Sequence, residues 1–384
     1  MKKEKESDDM TYQLTEVRTN RQLRAFIRFP FQIYRKDDNW VAPLNLLIKR
    51  TLRGKDNPLF SNGPHITFLL HKDGKPVARL VAGIDEKVNR EKGLRRGYIA
   101  LFECVNDKES AFYILDQARN WLKDKGMQFM EGPVSPTNGD DYRGLLVKGF
   151  ETSPTLFNSY NPPYYNVFFE AYGFHKFKDL VAFDFSVERY PLERFEKTVA
   201  YSLKKYDFRV DPVDVKQIDR EIRDIREILE QAVPEEWENF VVPSLEDIRK
   251  EARFLIPFID PDFVCIARRN ADDRPLGFVV GALDYNQVFK KLKGSLFPFG
   301  IFKFLYHRKR ITGLRLFIQF VVPDYQGRAI NTAIFHHFFK NALKRKLEYA
   351  EGGTVGEDNV QSNKILMVSG GLVSKIYRIY RKDI

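Results

Sequence analysis

The sequence predicts an α/β (α+β) protein in which mixed, mainly antiparallel, twisted sheets are flanked by helices, and in which one unit is written twice in tandem. Three observations carry this expectation. A strand, turn, strand pattern occurs once at Ile66–Ile84 and again at Phe263–Asp284. Each is followed by a strand leading into a long helix, a further strand, an Asn-started helix closed by glycine, and a last strand. Finally, 384 residues with 43% hydrophobic and 14% aromatic content suffice for two domains of ordinary size. The expected domains are 1–190 and 191–384, with the boundary near 188–200.

The elements follow from local chemistry. Gln22 to Tyr34 has helical spacing, and Trp40, Pro43 and Leu44 form an aromatic turn. Lys72-Asp73-Gly74-Lys75 joins two apolar runs with the Asp-Gly signal of a tight hairpin. The run 97–105 reads as a strand, and Asn106 or Asp107 can cap a helix reaching about Lys125. A strand at 129–134 precedes the Gly- and Asp-rich loop 137–143. Two prolines open a helix over 161–172, which Gly173 ends, and a strand at 177–187 closes the unit. The second copy is expected to begin with a strand at 204–212. Helices at 215–232 and 244–257, the second hairpin, a strand at 314–322, a helix to 347, and a strand at 349–355 follow. A helix at 359–369 and a strand at 373–381 close it.

Composition bounds the function. A net charge of +11 and a pI near 9.3 favour an anionic partner. Nucleic acid, an acyl carrier, a nucleotide cofactor and an anionic membrane surface all satisfy that charge; no nucleic-acid-binding motif accompanies it, which ranks nucleic acid low. Cys104 and Cys265 are the two cysteines, too few for a disulfide framework or a zinc cluster, and this suits a reducing cytoplasm. Met1 to Met10 is charged, without a signal-peptide core, and no run of about 18 apolar residues suggests a membrane span. The expectation is a soluble or peripheral protein.

The stretch from Leu314 to Leu347 offers the sharpest site. An apolar strand enters a breaker loop, Pro323-Asp324-Tyr325-Gln326-Gly327-Arg328, and a long helical pattern follows from Ala329. A glycine-bearing turn at a helix N-terminus points backbone N–H groups and a positive helix end at one spot, which suits a phosphate.

With these residues in place, the chain resembles the GNAT superfamily of acyl-CoA N-acyltransferases, and among them the doubled GNAT-like bacterial proteins. The resemblance runs from the segment holding Tyr34, Asp37, Asp38, Trp40, Val41 and Pro43 to the ending Tyr377-Arg378-Ile379-Tyr380-Arg381-Lys382. In that superfamily a loop of the form Q/R-x-x-G-x-G/A follows the fourth strand and holds the pyrophosphate of acyl-CoA. Its counterpart is Gln326-Gly327-Arg328-Ala329-Ile330-Asn331, matching at Gln326 and departing at Ala329 and Asn331. Alanine is expected to be accommodated there as part of an already helical backbone.

The resemblance implies acetyl-CoA or a longer acyl-CoA as donor, no metal, an amine as acceptor, and direct N-acyl transfer without a covalent enzyme intermediate. The implied cofactor residues are Val321, Val322, Gln326, Gly327, Arg328, Ala329, Ile330, Asn331 and Asn359, with the backbone of Val321 and Val322 holding the carbonyl. In the first half the same position reads Asn106-Asp107-Lys108-Glu109, without glycine and with two acids, so that half is expected to bind no CoA and to wall the cleft. Many GNAT enzymes place a proton-donating tyrosine four residues before the glycine ending the late helix; here those positions hold Leu366 and Phe169. The alternative to an enzyme is a GNAT-fold binding module for acyl-CoA, peptide or membrane.

An amine acceptor needs a base. Glu357 and Gln319 are the candidates, with Glu351 behind them; Glu357 can equally serve as a helix-capping acid, and Gln319 and Glu351 can face solvent. Asn138, Asp140 and Tyr142 lie in a loop that is either a substrate loop or a turn. Tyr160 and Tyr164 either line the cleft between halves or pack in a core. Between the second hairpin and the strand at 314, Leu296–Arg310 is an aromatic, apolar stretch bracketed by Lys290, Lys291 and Lys293 and by Arg308, Lys309 and Arg310. It either meets an anionic membrane interface, which would suit a lipid-like acceptor, or packs on the other half.

Overall fold

The computed structural model describes residues 11–54, 57–137, 139–235, 237–238 and 240–384; the charged leader lies outside them. In chain order the strands are β1 (Tyr12–Glu16), β2 (His65–Lys72), β3 (Lys75–Ile84), β4 (Arg96–Cys104), β5 (Phe129–Gly132), β6 (Leu145–Lys148) and β7 (His175–Ser186) in the first half. The second half adds β8 (Phe208–Pro212), β9 (Val264–Arg269), β10 (Pro275–Leu283), β11 (Gly313–Val321), β12 (Tyr349–Gly356) and β13 (Leu372–Asp383). They form one continuous 13-stranded sheet in the order β1-β2-β3-β4-β5-β13-β7-β12-β11-β10-β9-β8, with β6 on β13. The neighbours β4–β5 and β11–β12 are parallel, as a strand, helix, strand crossover requires.

Both hairpins form where the turns predict them: Asp73 and Gly74 take left-handed φ values of 51° and 74°, and Asp273 takes 60°. Helix Asn20–Arg28 starts on a Thr19/Gln22 capping box and helix Leu245–Leu255 on a Ser244/Asp247 one. In the first half, helices Lys108–Asp124 and Tyr164–Ala171 bury one sheet face through Ala111, Leu115, Phe168 and Phe169. The other face packs on Phe26, Leu59 and Phe60.

The closing strands depart from the expected order. The strand expected to close the first half, β7, pairs instead with β12 of the second half, from Tyr349↔Ser186 to Gly356↔Leu180. Strand β13 pairs with β5 of the first, through Tyr380↔Gly132 and Arg381↔Glu131. The two then pair with each other at the centre of the sheet, where Arg378 bridges Asp179 at 2.8 and 3.0 Å. Both are 12 residues long, enough to reach each other and the opposite half at once. Either half taken alone would lack the strand that continues its sheet past the fifth.

Several elements escaped the sequence reading. Lys204 lies in helix Leu192–Lys205, and the strand starts only at Phe208. Strands β1 and β6 and the helices Asn286–Leu292 and Gly300–Arg308 are 5, 4, 7 and 9 residues long, too short for periodicity alone to declare them. The helix expected from Asn161 begins at Tyr164, because Asn161 spends its side chain on Leu146 N–H at 2.6 Å.

Candidate active site

Parallel strands that part midway leave a gap in a sheet, and this sheet has two such gaps. β11 and β12 pair from Gly313↔Tyr349 to Leu316↔Gly352, then separate. The register of β11 against β10 slips between Val280 and Gly281, so Phe317 is an extra residue that bends the strand away. In the first half β4 and β5 stop pairing after Tyr98↔Glu131, and β4 likewise slips against β3 near Leu101.

Backbone direction decides what each gap offers. Val322 N–H donates to Leu276 O at 2.9 Å. Alternate residues of an antiparallel strand turn to opposite neighbours, so the N–H groups of Val321 and Gln319 face the gap. Val322 is thereby corrected as a carbonyl donor, since its N–H is already spent. Val321 remains, and Gln326 Nε2 donates to its carbonyl oxygen at 3.3 Å.

The equivalent first-half bond runs from Val105 N–H to Val77 O at 2.9 Å, which turns Cys104 to its gap. There the Tyr165 hydroxyl accepts Cys104 N–H at 2.8 Å and the Tyr164 hydroxyl donates to Cys104 O at 2.9 Å. Tyr165 and Tyr34 also donate to Glu103, each at 2.8 Å. The first gap is therefore filled by its own tyrosines. Tyr165→Phe should strand Cys104 N–H and cost about 1–3 kcal/mol of stability in urea unfolding, with no change in acyl-CoA affinity.

The helix ends differ in the same sense. Asp107 accepts from Glu109 N–H, pairs with Lys72 at 2.9 Å and caps helix Lys108–Asp124 with its own carboxylate. Helix Ile330–Lys344 has no side-chain cap. Its approach holds Gly327 at φ 73° and Ala329 at φ 60°, so Ala329 is left-handed at the N-cap rather than helical, at a cost of about 1 kcal/mol. Among the described residues, a Cβ on Gly327 would meet nothing within 4 Å, so the turn is open. Arg328 lies over the rings of Tyr325 and Tyr206 at 4.7 and 5.3 Å. Val321 contacts the Gly277 position on the same side as Ile330, and the strand period puts Gln319 there too. Among the described residues, Gln319 Nε2 and Asn331 Oδ1 are buried without a hydrogen-bond partner. An open cradle, an uncapped positive helix end and the free amide N–H of Gln319 fit an extended anionic donor such as acyl-CoA.

Opposite that face stands Glu351. Gly352 points at Phe185 and Leu366, so its neighbour Glu351 turns to the other side, one residue before β11 and β12 part. It is 1% exposed and accepts hydrogen bonds from the Thr155 hydroxyl and the Asn158 amide, both from the first half. Burial pushes its carboxyl up to about 7, against the opposing pull of the Arg315 charge and the Thr155 hydrogen bond. The first-half counterpart is Glu131, which instead faces Arg96 at 3.3 Å and Arg381 at 2.8 Å. One strand position thus holds an ion-paired carboxylate in one half and a protonatable one in the other.

The predicted substrate loop does reach this place, although Asn138 lies outside the described residues. Asp140 pairs with fully buried Arg315 at 2.6 Å and with Arg143, which bonds Thr354 at 3.0 Å. Arg315 also donates to Leu156 O and lies over Phe317 at 4.6 Å. Tyr142 donates its backbone N–H to Phe157 O at 2.7 Å, and Phe157 in turn lies beside Phe317. Asp140→Asn should leave the Arg315 charge unbalanced and cost about 2–3 kcal/mol by urea titration, below a fully buried pair because Asp140 keeps 23% exposure.

Other candidates are placed elsewhere. Tyr160 hydrogen bonds Asp37 at 3.0 and 3.1 Å, and Tyr164 fills the first gap, so neither joins Glu351. Glu357 bonds Lys176 at 2.6 Å and Asp179 N–H at 3.1 Å on β7. Asn359 caps helix Val360–Val368 through Ser362 N–H at 3.0 Å. Sequence reading missed Thr155, Asn158 and Arg315. A signal for Glu351 existed in the Glu-Gly dipeptide shared by the two fifth strands, Glu131-Gly132 and Glu351-Gly352.

No protein-family model matches the chain. It is 29% identical over 377 residues to Protein YghO of Escherichia coli (strain K12), covering 94% of this chain and 93% of that protein. It is 27% identical over 373 residues to a bacterial ceramide synthase of Caulobacter vibrioides, covering 95% and 96%. Among solved structures, a tandem GNAT protein from the clavulanic acid biosynthesis pathway superposes with a TM-score of 0.60 at 9% identity, covering 97% of this chain and 98% of that one. A GCN5-related N-acetyltransferase from Sphaerobacter thermophilus gives 0.55 at 10% identity, covering 97% and 95%. Along almost its whole length the chain thus shares the fold of a tandem GNAT protein.

Proposed function

We propose that the protein is an acyl-CoA-dependent N-acyltransferase with one working site, in the second half. The contrast between the two gaps carries the reading: the first is filled by Tyr164 and Tyr165 and its helix capped by Asp107, while the second keeps an open turn and an uncapped helix. In this reading the turn 326–331 and the helix end bind the phosphates of acyl-CoA, which supplies the activated thioester. Val321 N–H orients the carbonyl oxygen and stabilises it as it gains charge. Glu351 takes the ammonium proton of the acceptor, a task suited to a carboxyl that titrates near neutrality. Glu351 thereby replaces Glu357 as the base, because Glu357 is engaged by Lys176 and β7. The acceptor is a lipid-like amine, a class supported by the 27% likeness to a ceramide synthase along almost the whole chain.

The test is release of free thiol from acyl-CoA in the presence of a long-chain amine panel. Turnover with such an amine supports the reading. One feature favours the rival, a silent binding protein: Leu366, in the position where many relatives place a proton-donating tyrosine, is 6% exposed in the core. Thermal stabilisation by CoA with no thiol release across the panel would select that rival.

A further inference from the structure

Beyond the acyl-transfer site, the segment between β10 and β11 is built on two levels. Its root is tied down. Asn286 Nδ2 donates to Pro154 O and Thr155 O at 2.8 and 2.9 Å, and Asp284 accepts Leu156 N–H at 2.8 Å. Phe304 stacks on Tyr285 at 5.8 Å, and Asn45 N–H donates to Gly294 O at 2.9 Å. The tip is bare. Phe297, Phe299 and Phe302 are 76%, 72% and 69% exposed, and Leu305 and Tyr306 are about half exposed. Packing on the other half, the alternative the sequence left open, accounts for the root and not for these side chains.

In helix Gly300–Arg308, a turn of 100° per residue places Ile301, Phe302, Leu305 and Tyr306 on one face, with Phe304 turned inward. Lys303 and Arg308 fall on the two margins of that face, and Lys309 and Arg310 follow at its end. No Asp or Glu occurs between Asp284 and Thr312. Arg310 covers the Tyr306 ring at 4.0 Å. An apolar face rimmed by cations, on a stretch without acids, is complementary to a surface whose polar layer is anionic and whose interior is hydrocarbon. Among the described residues no helix is long and apolar enough to cross a membrane, so the fit is to the interface.

We propose that residues 296–310 dock the protein on an anionic bilayer, with Phe297, Phe299 and Phe302 entering the headgroup boundary. Resting on the acyltransferase reading, the placement has a consequence for substrate delivery. The root of the segment holds Pro154–Leu156, and Thr155 within it holds Glu351, so a docked tip brings the membrane to the acceptor end of the site. A lipid amine then reaches Glu351 without crossing bulk water.

The test uses the full chain with sucrose-loaded vesicles, of phosphatidylcholine alone or with roughly one-third phosphatidylglycerol. The wild type should sediment with the anionic vesicles, weakly with the neutral ones, and less as salt is raised. Replacing Phe297, Phe299 and Phe302 together with Ser should weaken partition by at least about tenfold, while thiol release with a short, water-soluble amine stays unchanged. Unchanged partition of the triple variant, or no binding of the wild type to either vesicle, overturns the proposal. So does a dimer seen by sedimentation velocity without vesicles and lost in the triple variant, which would assign the face to a second copy. Vesicle binding with no acyl transfer would keep the docking surface and reject the acyltransferase reading.

Discussion

Glu351→Gln is expected to lower the rate of acyl transfer by about 10²–10⁴-fold, the usual loss when a positioned base is removed. The substitution preserves shape, and the amide can still accept from Thr155 and Asn158, so the fold should persist. In the wild type, kcat/KM should rise through about pH 7, where the buried carboxyl loses its proton, and the variant should lose that limb. Stability reports on the same group with the opposite sign. Because folding raises this carboxyl above its ordinary value near ~4.3, the folded state binds the proton more tightly. The group therefore favours folding at low pH, and that contribution fades as pH rises through about 7. Urea midpoints measured from pH 5 to 8 should show this slope in the wild type and a shallower one in Glu351→Gln. A variant with normal activity and an unchanged pH–rate profile would return the role of base to another residue.

Gly327→Glu should abolish most acyl-CoA binding. The change places a carboxylate at the uncapped end of helix Ile330–Lys344 and forces a side chain onto a residue at φ 73°. Losing a favourable helix-end contact with an anion is worth up to ~2 kcal/mol, and like-charge repulsion near the surface adds about 1 more. Together these predict about 10²-fold weaker binding by calorimetry. Gly327→Ala is the control. Its Cβ meets nothing within 4 Å, so it should cost about 1 kcal/mol of stability from the backbone alone and leave affinity within a few-fold. Equal affinity for Gly327→Glu and the wild type would show that the phosphates sit elsewhere.

Much of the frame was legible because it is local. Asp73-Gly74 specifies a hairpin through its own backbone preference, and Asp107 declares a self-capped helix in the same way. Gly327 at the head of a long helix marks an open turn without reference to the rest of the chain. The repeat of elements along the sequence therefore determined the fold class and the tandem arrangement. The exchange of β7 and β13 was not legible, because either strand has the length and alternation to pair with either fifth strand.

Which of Glu357 and Glu351 is buried was not legible either. Both acids belong to one strand and its edge, and sequence position favoured the one beside a helix start. Only tertiary structure brings Lys176 to Glu357, Thr155 and Asn158 to Glu351, and Tyr165 into the first gap. Each of those contacts spans more than sixty residues of chain. Turn chemistry and capping act within a few residues and are written where they act, whereas burial and charge compensation depend on which distant segments the fold brings together.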